Sequence, residues 1–207
     1  YEAAKAVQAK VLAAQGMKVL FSVPWPGQSL YSVKPIDKAE DFKGTTMRAY
    51  NPATTKIAQM LGASPVTIQL PELGQALATG ATNNFLTSSA SGADSKLYEQ
   101  VKFFYPVNGW LPRNVTAVSQ KSFDALDKAT QDAVRKAAAD AEARGWKASE
   151  KVDTDSIKIL ADNGVKVAPP SASVKAALEK IGEQMTADWL ASAGPDGKTI
   201  IDAYRKQ

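Results

Sequence analysis

Apolar side chains at Ala4, Val7, Val11 and Leu12 follow a helical period, which predicts a helix over residues 1–15. Gly16 then closes it as a C-cap. Met17 to Val23 reads as a strand, Pro24-Trp25-Pro26-Gly27-Gln28 as a loop, and Ser29 to Val33 as a second short strand. Pro35 to Lys43 is a charged turn or short helix, and Thr45 to Tyr50 a strand. Asn51-Pro52 marks a helix start, with a capping side chain ahead of a proline. Ile57, Met60 and Leu61 share one face of that helix, which stops at Gly62. Further strands are predicted at 65–69, 81–86, 101–107, 115–119 and 165–168, with helices from Pro71 to before Gly80 and at Asp94 to Glu99. The run Thr87 to Gly92 is small and polar and reads as a loop.

From Ser122 the pattern turns helical for a long way. Leu126, Ala129, Ala133, Val134, Ala137, Ala141, Trp146 and Ile157 keep a 3.6 period, and charges of both signs fill the other face. No firm break comes before Asn163-Gly164, although Gly145 could kink the helix. Its length of about 35 residues, roughly 50 Å, suits a helix spanning two lobes. Helices over Ser171–Ala191 and Asp196–Arg205 close the chain. Strands alternating with helices predict an α/β fold with a largely parallel sheet or sheets.

Composition narrows the chemistry. The 207 residues contain no cysteine and no histidine. That removes disulfides, thiolate nucleophiles, Cys/His zinc sites, Ser-His-Asp triads and histidine pH switches. Absent cysteine suits either a reducing cytosol or an oxidising periplasm. The net charge is +4, yet basic and acidic residues are mixed in every part of the chain. No Lys/Arg stripe marks a nucleic-acid footprint, so no nucleic-acid partner is expected. No run of about 18 apolar residues reads as a membrane span, and no signal peptide opens the chain. Tyr1-Glu2-Ala3-Ala4-Lys5 reads as the middle of a helix, as in a mature or truncated chain.

The most informative stretch is Thr46 to Pro52. Thr46, Arg48 and Tyr50 share one strand face, and Arg48 stands near the carboxyl end of its strand, where open α/β sheets bind ligands. Its planar fork of donors suits a carboxylate, which is either a ligand's or that of a neighbouring Asp or Glu at the sheet rim. Asn83 to Ser89 places amides, Phe85 and hydroxyls after another strand, as a site for a polar organic molecule or as a loop bonding its own backbone. Trp25 and Trp110 lie in Pro/Gly loops, as pocket walls or as lids on a core edge; Trp146 and Trp189 sit in helical periods and are expected in the core. An α/β enzyme with Glu72 as base and Ser88 or Ser89 nearby is the alternative reading, although the chain has no G-x-S-x-G elbow and no phosphate loop. A third reading makes the long helix a docking face, but its mixed charges fit an ordinary solvated surface.

The run Lys34-Pro35-Ile36, Asp41-Phe42-Lys43-Gly44, Met47-Arg48 resembles the stretch leading into the second domain of TRAP-transporter solute-binding proteins. The likeness continues through Leu61 to Val66, Pro71-Glu72-Leu73, Ala76 to Gly80, Ser122 to Leu126 and the long helix. It covers the chain from about Gly16 and rests on the order and spacing of these motifs together. The resemblance implies a periplasmic, two-lobed receptor of the type II binding-protein architecture, with part of the N-terminal lobe missing. On that plan residues 1–33 are the remainder of lobe one, 34–86 begin lobe two, 87–126 return to lobe one, 127–162 form the inter-lobe helix, and 163–207 complete lobe two.

The implied function is capture of a small organic acid by lobe closure and its delivery to membrane permease subunits, with no catalysis, cofactor or metal. The family's carboxylate-clamping arginine falls at Arg48, an aromatic or apolar pocket residue at Leu70, and a ligand-facing asparagine at Thr87. Three departures stand out: Thr87 replaces that asparagine, Asn83-Asn84 replaces a usual Asp-Gly, and Gly27-Gln28-Ser29 lies where many members carry a second arginine. One arginine fewer favours a monocarboxylate, aromatic or apolar in character, contacted by Arg48 and Tyr50 and flanked by Gln28, Trp25, Phe85 and Trp110.

Overall fold

A computed structural model describes residues 1–206. The chain divides into two compact units, one of residues 1–24, 113–148 and 183–206, the other of residues 25–112 and 149–182.

In the first unit, α1 (Glu2–Ala13) leads through Gly16, at φ +73°, into β1 (Met17–Pro24). Only glycine takes that turn without strain. β1 pairs antiparallel with β7 (Arg113–Ser119), from Met17 opposite Ser119 to Pro24 opposite Arg113. The short helix α5 (Gln120–Asp124) follows, capped by the Ser119 hydroxyl. The long helix α6 (Lys128–Asp162) starts afresh at Asp127, whose carboxylate accepts the Thr130 N–H at 2.9 Å. The predicted single helix from Ser122 is therefore two, because Asp127 bonds the backbone and so ends one helix and caps the next.

Gly145 does not kink α6. A side chain there would meet Val23 Cγ2 at 2.5 Å, so the glycine serves close packing. Nearby, Trp146 donates its indole N–H to the Ser22 carbonyl, and the Ser22 N–H goes to Glu142, both at 2.9 Å. Trp146 is thus half-buried with a polar anchor rather than core, and Trp189 is 43% exposed, against expectation for both.

The second unit holds a six-stranded sheet. Its strands are β2 (Gln28–Ser32), β3 (Thr46–Ala49), β4 (Ser64–Thr67), β5 (Asn84–Ser88), β6 (Phe103–Tyr105) and β8 (Lys166–Val167), in the order β4-β3-β5-β2-β6-β8. It is mixed rather than largely parallel: β2 runs antiparallel to both β5 and β6, while β3–β4, β3–β5 and β6–β8 are parallel. Helix α2 (Pro52–Met60) starts at Asn51, whose side chain accepts the Thr54 N–H at 2.8 Å, and α3 (Leu70–Ala78) packs Leu73 and Leu77 on the sheet. The core centres on Tyr31, stacked on Phe85 at 4.7 Å with Phe104 edge-on, and takes in Leu160 from α6.

The expected segment limits at 33/34 and 86/87 fall inside this unit, because β2, β5 and β6 pair with one another. The chain changes unit at 24/25 and 112/113 instead, and residues 183–206 join the first unit. α7 (Ala172–Tyr204) enters both units; Gly194, at φ +63°, breaks it just before Pro195, as the two predicted closing helices require.

The polar run after Phe85 is no loop. Thr87 and Ser88 continue β5 against Ser29 and Gln28, and α4 (Ser89–Asp94) begins at once, capped by the Ser88 hydroxyl. The Ser88 hydroxyl is bonded to Ser91 and Trp25 and the Ser89 hydroxyl to Asp153, so these small polar residues can be buried here.

Candidate functional site

Arg48 lies on β3 between β4 and β5 and is only 5% exposed. Its Nε donates to the Ile68 carbonyl at 2.8 Å, and its guanidinium carbon sits 4.6 Å from the centre of the Tyr50 ring. Among the described residues no Asp or Glu pairs with it. The rim-acid alternative left open by the sequence is therefore not what the fold builds. Burial pulls the Arg48 pKa below its ordinary value, and the neighbouring Tyr50 pulls it back up. The group stays a cation at any neutral pH, since an arginine holds its proton far into the alkaline range.

Tyr50 is half-buried; burial raises its phenol pKa, and the Arg48 charge and the Trp110 side chain oppose that rise. The Trp110 carbonyl accepts the Gln28 N–H at 2.9 Å, and Gly109 N–H reaches the Gln28 carbonyl at 2.8 Å. Arg48 and Tyr50 form one contact pair and Gln28 and Trp110 another within the second unit, with Trp110 close enough to Tyr50 to act on its pKa. Gln28 is 5% exposed, and among the described residues its amide nitrogen reaches only the Pro26 carbonyl, at 3.5 Å.

Thr87 sits opposite Ser29 and is 6% exposed. Thr87 lies three residues past Asn84, the partner of Met47 on β3, as Tyr50 lies three past Met47. Trp25 is exposed, and its indole N–H donates to the Ser88 hydroxyl at 2.8 Å, so it stands beside the Thr87 corner with its donor already used. Leu70, at the first turn of α3, packs partly buried against the core.

Phe85 leaves the candidate set. It is fully buried and stacked on Tyr31, so its ring belongs to the core. The strand signal that placed it beside Thr87 carries no information on which apolar ring a core absorbs. Asn83 and Asn84 are sheet pins: Asn83 accepts from Thr46, and Asn84 accepts from the Ser32 hydroxyl and donates to the Thr45 hydroxyl. The enzyme trio does not assemble. Glu72 is exposed and caps its own helix at Gln69 N–H, while Ser88 and Ser89 are both 0% exposed with their hydroxyls engaged. No group of three or more Asp and Glu among the described residues is placed to hold a metal.

Sequence reasoning missed the Ile68 carbonyl that orients Arg48, and it missed Asp153, which accepts the Ser89 hydroxyl. The first is a backbone atom and the second lies 64 residues away, so neither leaves a local signal.

The family profile described as bacterial extracellular solute-binding protein, family 7, matches residues 2–192. A solute-binding protein of Albidiferax ferrireducens is 29% identical over 162 residues, 76% of this chain. The chain spans about half the length of that curated relative, 48% of it. Among solved structures, a Bordetella pertussis extracytoplasmic solute receptor binding pyroglutamic acid, DctP6, is 47% identical. It superposes with a TM-score of 0.94 over 100% of this chain and 69% of its own. A TRAP solute-binding protein from a marine metagenome, specific for pyroglutamate, is 37% identical, with a TM-score of 0.91 over 100% of this chain and 68% of its own.

Proposed function

This chain belongs to the bacterial extracellular solute-binding proteins of family 7, and from that membership we propose that it captures a small organic monocarboxylate for a TRAP transporter. The ligand class we favour is a compact ring acid of the pyroglutamate kind, which two relatives of 47% and 37% identity bind. On this reading the protein works outside the cytoplasm, closes its lobes on the acid and hands it on unchanged to membrane permease subunits.

The observation that carries the reading is Arg48, a buried guanidinium with no Asp or Glu partner among the described residues. An unpaired buried charge costs several kcal/mol. A ligand carboxylate in two parallel hydrogen bonds to the terminal nitrogens offsets that cost, while Nε stays on Ile68. Tyr50 lies against the Arg48 guanidinium, and its O–H can donate toward the same anion. Thr87 and Gln28 supply neutral polar contacts, as a lactam or hydroxyl requires, and Leu70, Trp25 and Trp110 supply apolar wall.

Titration calorimetry with pyroglutamate tests this. Arg48→Ala is expected to weaken binding by about 2–5 kcal/mol, the range for removing one partner of a buried charge pair. Unchanged affinity in that variant, with its melting temperature preserved, rules out Arg48 as the clamp. No binding of any organic acid by the wild-type protein rules out the function.

A further inference from the structure

The corner between β5 and α4 is bonded from more directions than strand pairing needs. The Ser88 carbonyl accepts the Tyr31 hydroxyl at 2.9 Å. The Ser88 hydroxyl accepts from Trp25 at 2.8 Å and from Ser91 N–H at 3.0 Å, and donates to the Ser91 hydroxyl. Ser89 then donates its hydroxyl to Asp153 Oδ1 of α6.

Asp153 is unlike its neighbours on that helix. Asp155 and Asp162 each pair with the lysine four residues before them, Lys151 and Lys158. Among the described residues Asp153 makes no ion pair and is half-buried, and its bond from Ser89 is the charge-assisted kind, stronger than a neutral one. Its charge is also felt at the Tyr31 hydroxyl, which burial and Asp153 together hold well above the ordinary phenol range. A full carboxylate on a distant helix is thus committed to a serine two residues from Thr87. Ser89 is 0% exposed, so no substrate reaches its hydroxyl and the bond to Asp153 is read as structural.

We propose that Asp153 is a positioning residue of the ligand site: acting through Ser89, it fixes the β5–α4 corner and with it Thr87, two residues before Ser89. This rests on the reading of Arg48, Tyr50 and Thr87 as ligand contacts. The geometry sets two separable jobs for one bond. It holds the start of α4 whether or not ligand is present, and it sets the place of Thr87 when ligand binds.

The test uses the whole chain with Asp153→Ala, Asp153→Asn, Ser89→Ala and the Asp153→Ala/Ser89→Ala pair. Calorimetry with pyroglutamate gives affinity, and hydrogen exchange of the Ser91 amide in ligand-free protein gives the state of the corner. Asp153→Ala is expected to weaken binding about tenfold, which corresponds to about 1.4 kcal/mol. Asp153→Asn, which keeps an oxygen acceptor for Ser89, recovers most of that loss. The double variant is no worse than Asp153→Ala alone, because the two residues act through one bond. The Ser91 amide exchanges faster in Asp153→Ala and at near the wild-type rate in Asp153→Asn. Wild-type affinity in Asp153→Ala, additive losses in the double variant, or unchanged Ser91 exchange each overturns the proposal. A wild-type protein that binds no organic acid defeats the functional reading instead, and the exchange result still decides whether Asp153 holds the corner. Should Asp153→Ala not fold, Ser89→Ala and Asp153→Asn give the same comparison.

Discussion

Arg48 is oriented by two weak partners, a carbonyl at 2.8 Å and an aromatic face at 4.6 Å, and both depend on the planar guanidinium. A lysine keeps the charge but loses the fixed Nε donor and the flat surface that stacks on Tyr50. Arg48→Lys is therefore expected to fall between wild type and Arg48→Ala in calorimetric affinity, with the melting temperature near wild type. The same residues set the pH behaviour. The chain has no histidine, Arg48 remains a cation although burial lowers its pKa, and Tyr50 remains neutral because burial raises its own. Affinity is expected to be flat from roughly pH 6 to 9, where unperturbed carboxylates are ionised and phenols protonated. A midpoint inside that window, measured by calorimetry in several buffers, contradicts the assignment of the anion site. Arg48 stood out in the sequence as a candidate by its place near the carboxyl end of a strand, but that pattern fitted a ligand acid and a rim Asp or Glu equally, and only the resemblance pointed to the clamp. Its lack of an internal acid was not legible, since that depends on every carboxylate brought near by the fold. Phe85 shows the converse: alternation placed it correctly in a strand but could not say that its ring stacks on Tyr31.

At the scale of elements, local chemistry was the reliable guide and pairing was not. Asn51-Pro52 and Gly16 mark boundaries through their own backbone preferences, and the structure keeps both. The antiparallel setting of β2 between β5 and β6 is a long-range fact that no local pattern encodes. The same holds for Ser88 and Ser89, whose buried hydroxyls look like a loop until their partners at Trp25 and Asp153 are in place. Helix α6 offers two tests of such partners. Gly145 packs on Val23, so Gly145→Ala is expected to destabilise the protein by about 1–3 kcal/mol through overpacking, read from urea unfolding. A helix-propensity view alone predicts the opposite sign. Glu142, three residues earlier, is pushed up by burial, but the Ser22 N–H, the Tyr1 hydroxyl and Lys5 more than offset this and leave its pKa lowered. A carboxylate with a depressed folded pKa stabilises above its unfolded value of 4.5 and ceases to do so as pH falls through the folded one. The melting temperature of wild type should therefore drop toward that of Glu142→Gln as the solution is acidified, and the two curves should stay apart at neutral pH. Parallel curves throughout remove Glu142 from the account.

For the molecule as a whole, the proposed ligand choice turns on how many fixed charges the candidate contacts offer. The net charge of +4 is spread over a mixed surface and gives little preference among anions. Among the candidate contacts only Arg48 is charged; Gln28 and Thr87 are neutral. A second carboxylate brought into such a site finds no cation and keeps an uncompensated desolvation cost. In a thermal-shift series, pyroglutamate at about 100 times its dissociation constant should stabilise the protein by about 2.7 kcal/mol, whereas succinate and malate should leave the melting temperature unmoved. Gln28→Arg adds the missing cation at the residue paired with Trp110, which is close enough to Tyr50 to act on its pKa. Its expected effect is a gained shift with dicarboxylates and a reduced one with pyroglutamate, since the added guanidinium is left unpaired when a monocarboxylate binds. A dicarboxylate shift already present in the wild-type protein would mean that charge count at Gln28 does not set selectivity. Dicarboxylates without effect on a folded Gln28→Arg variant would mean that its side chain does not reach the ligand.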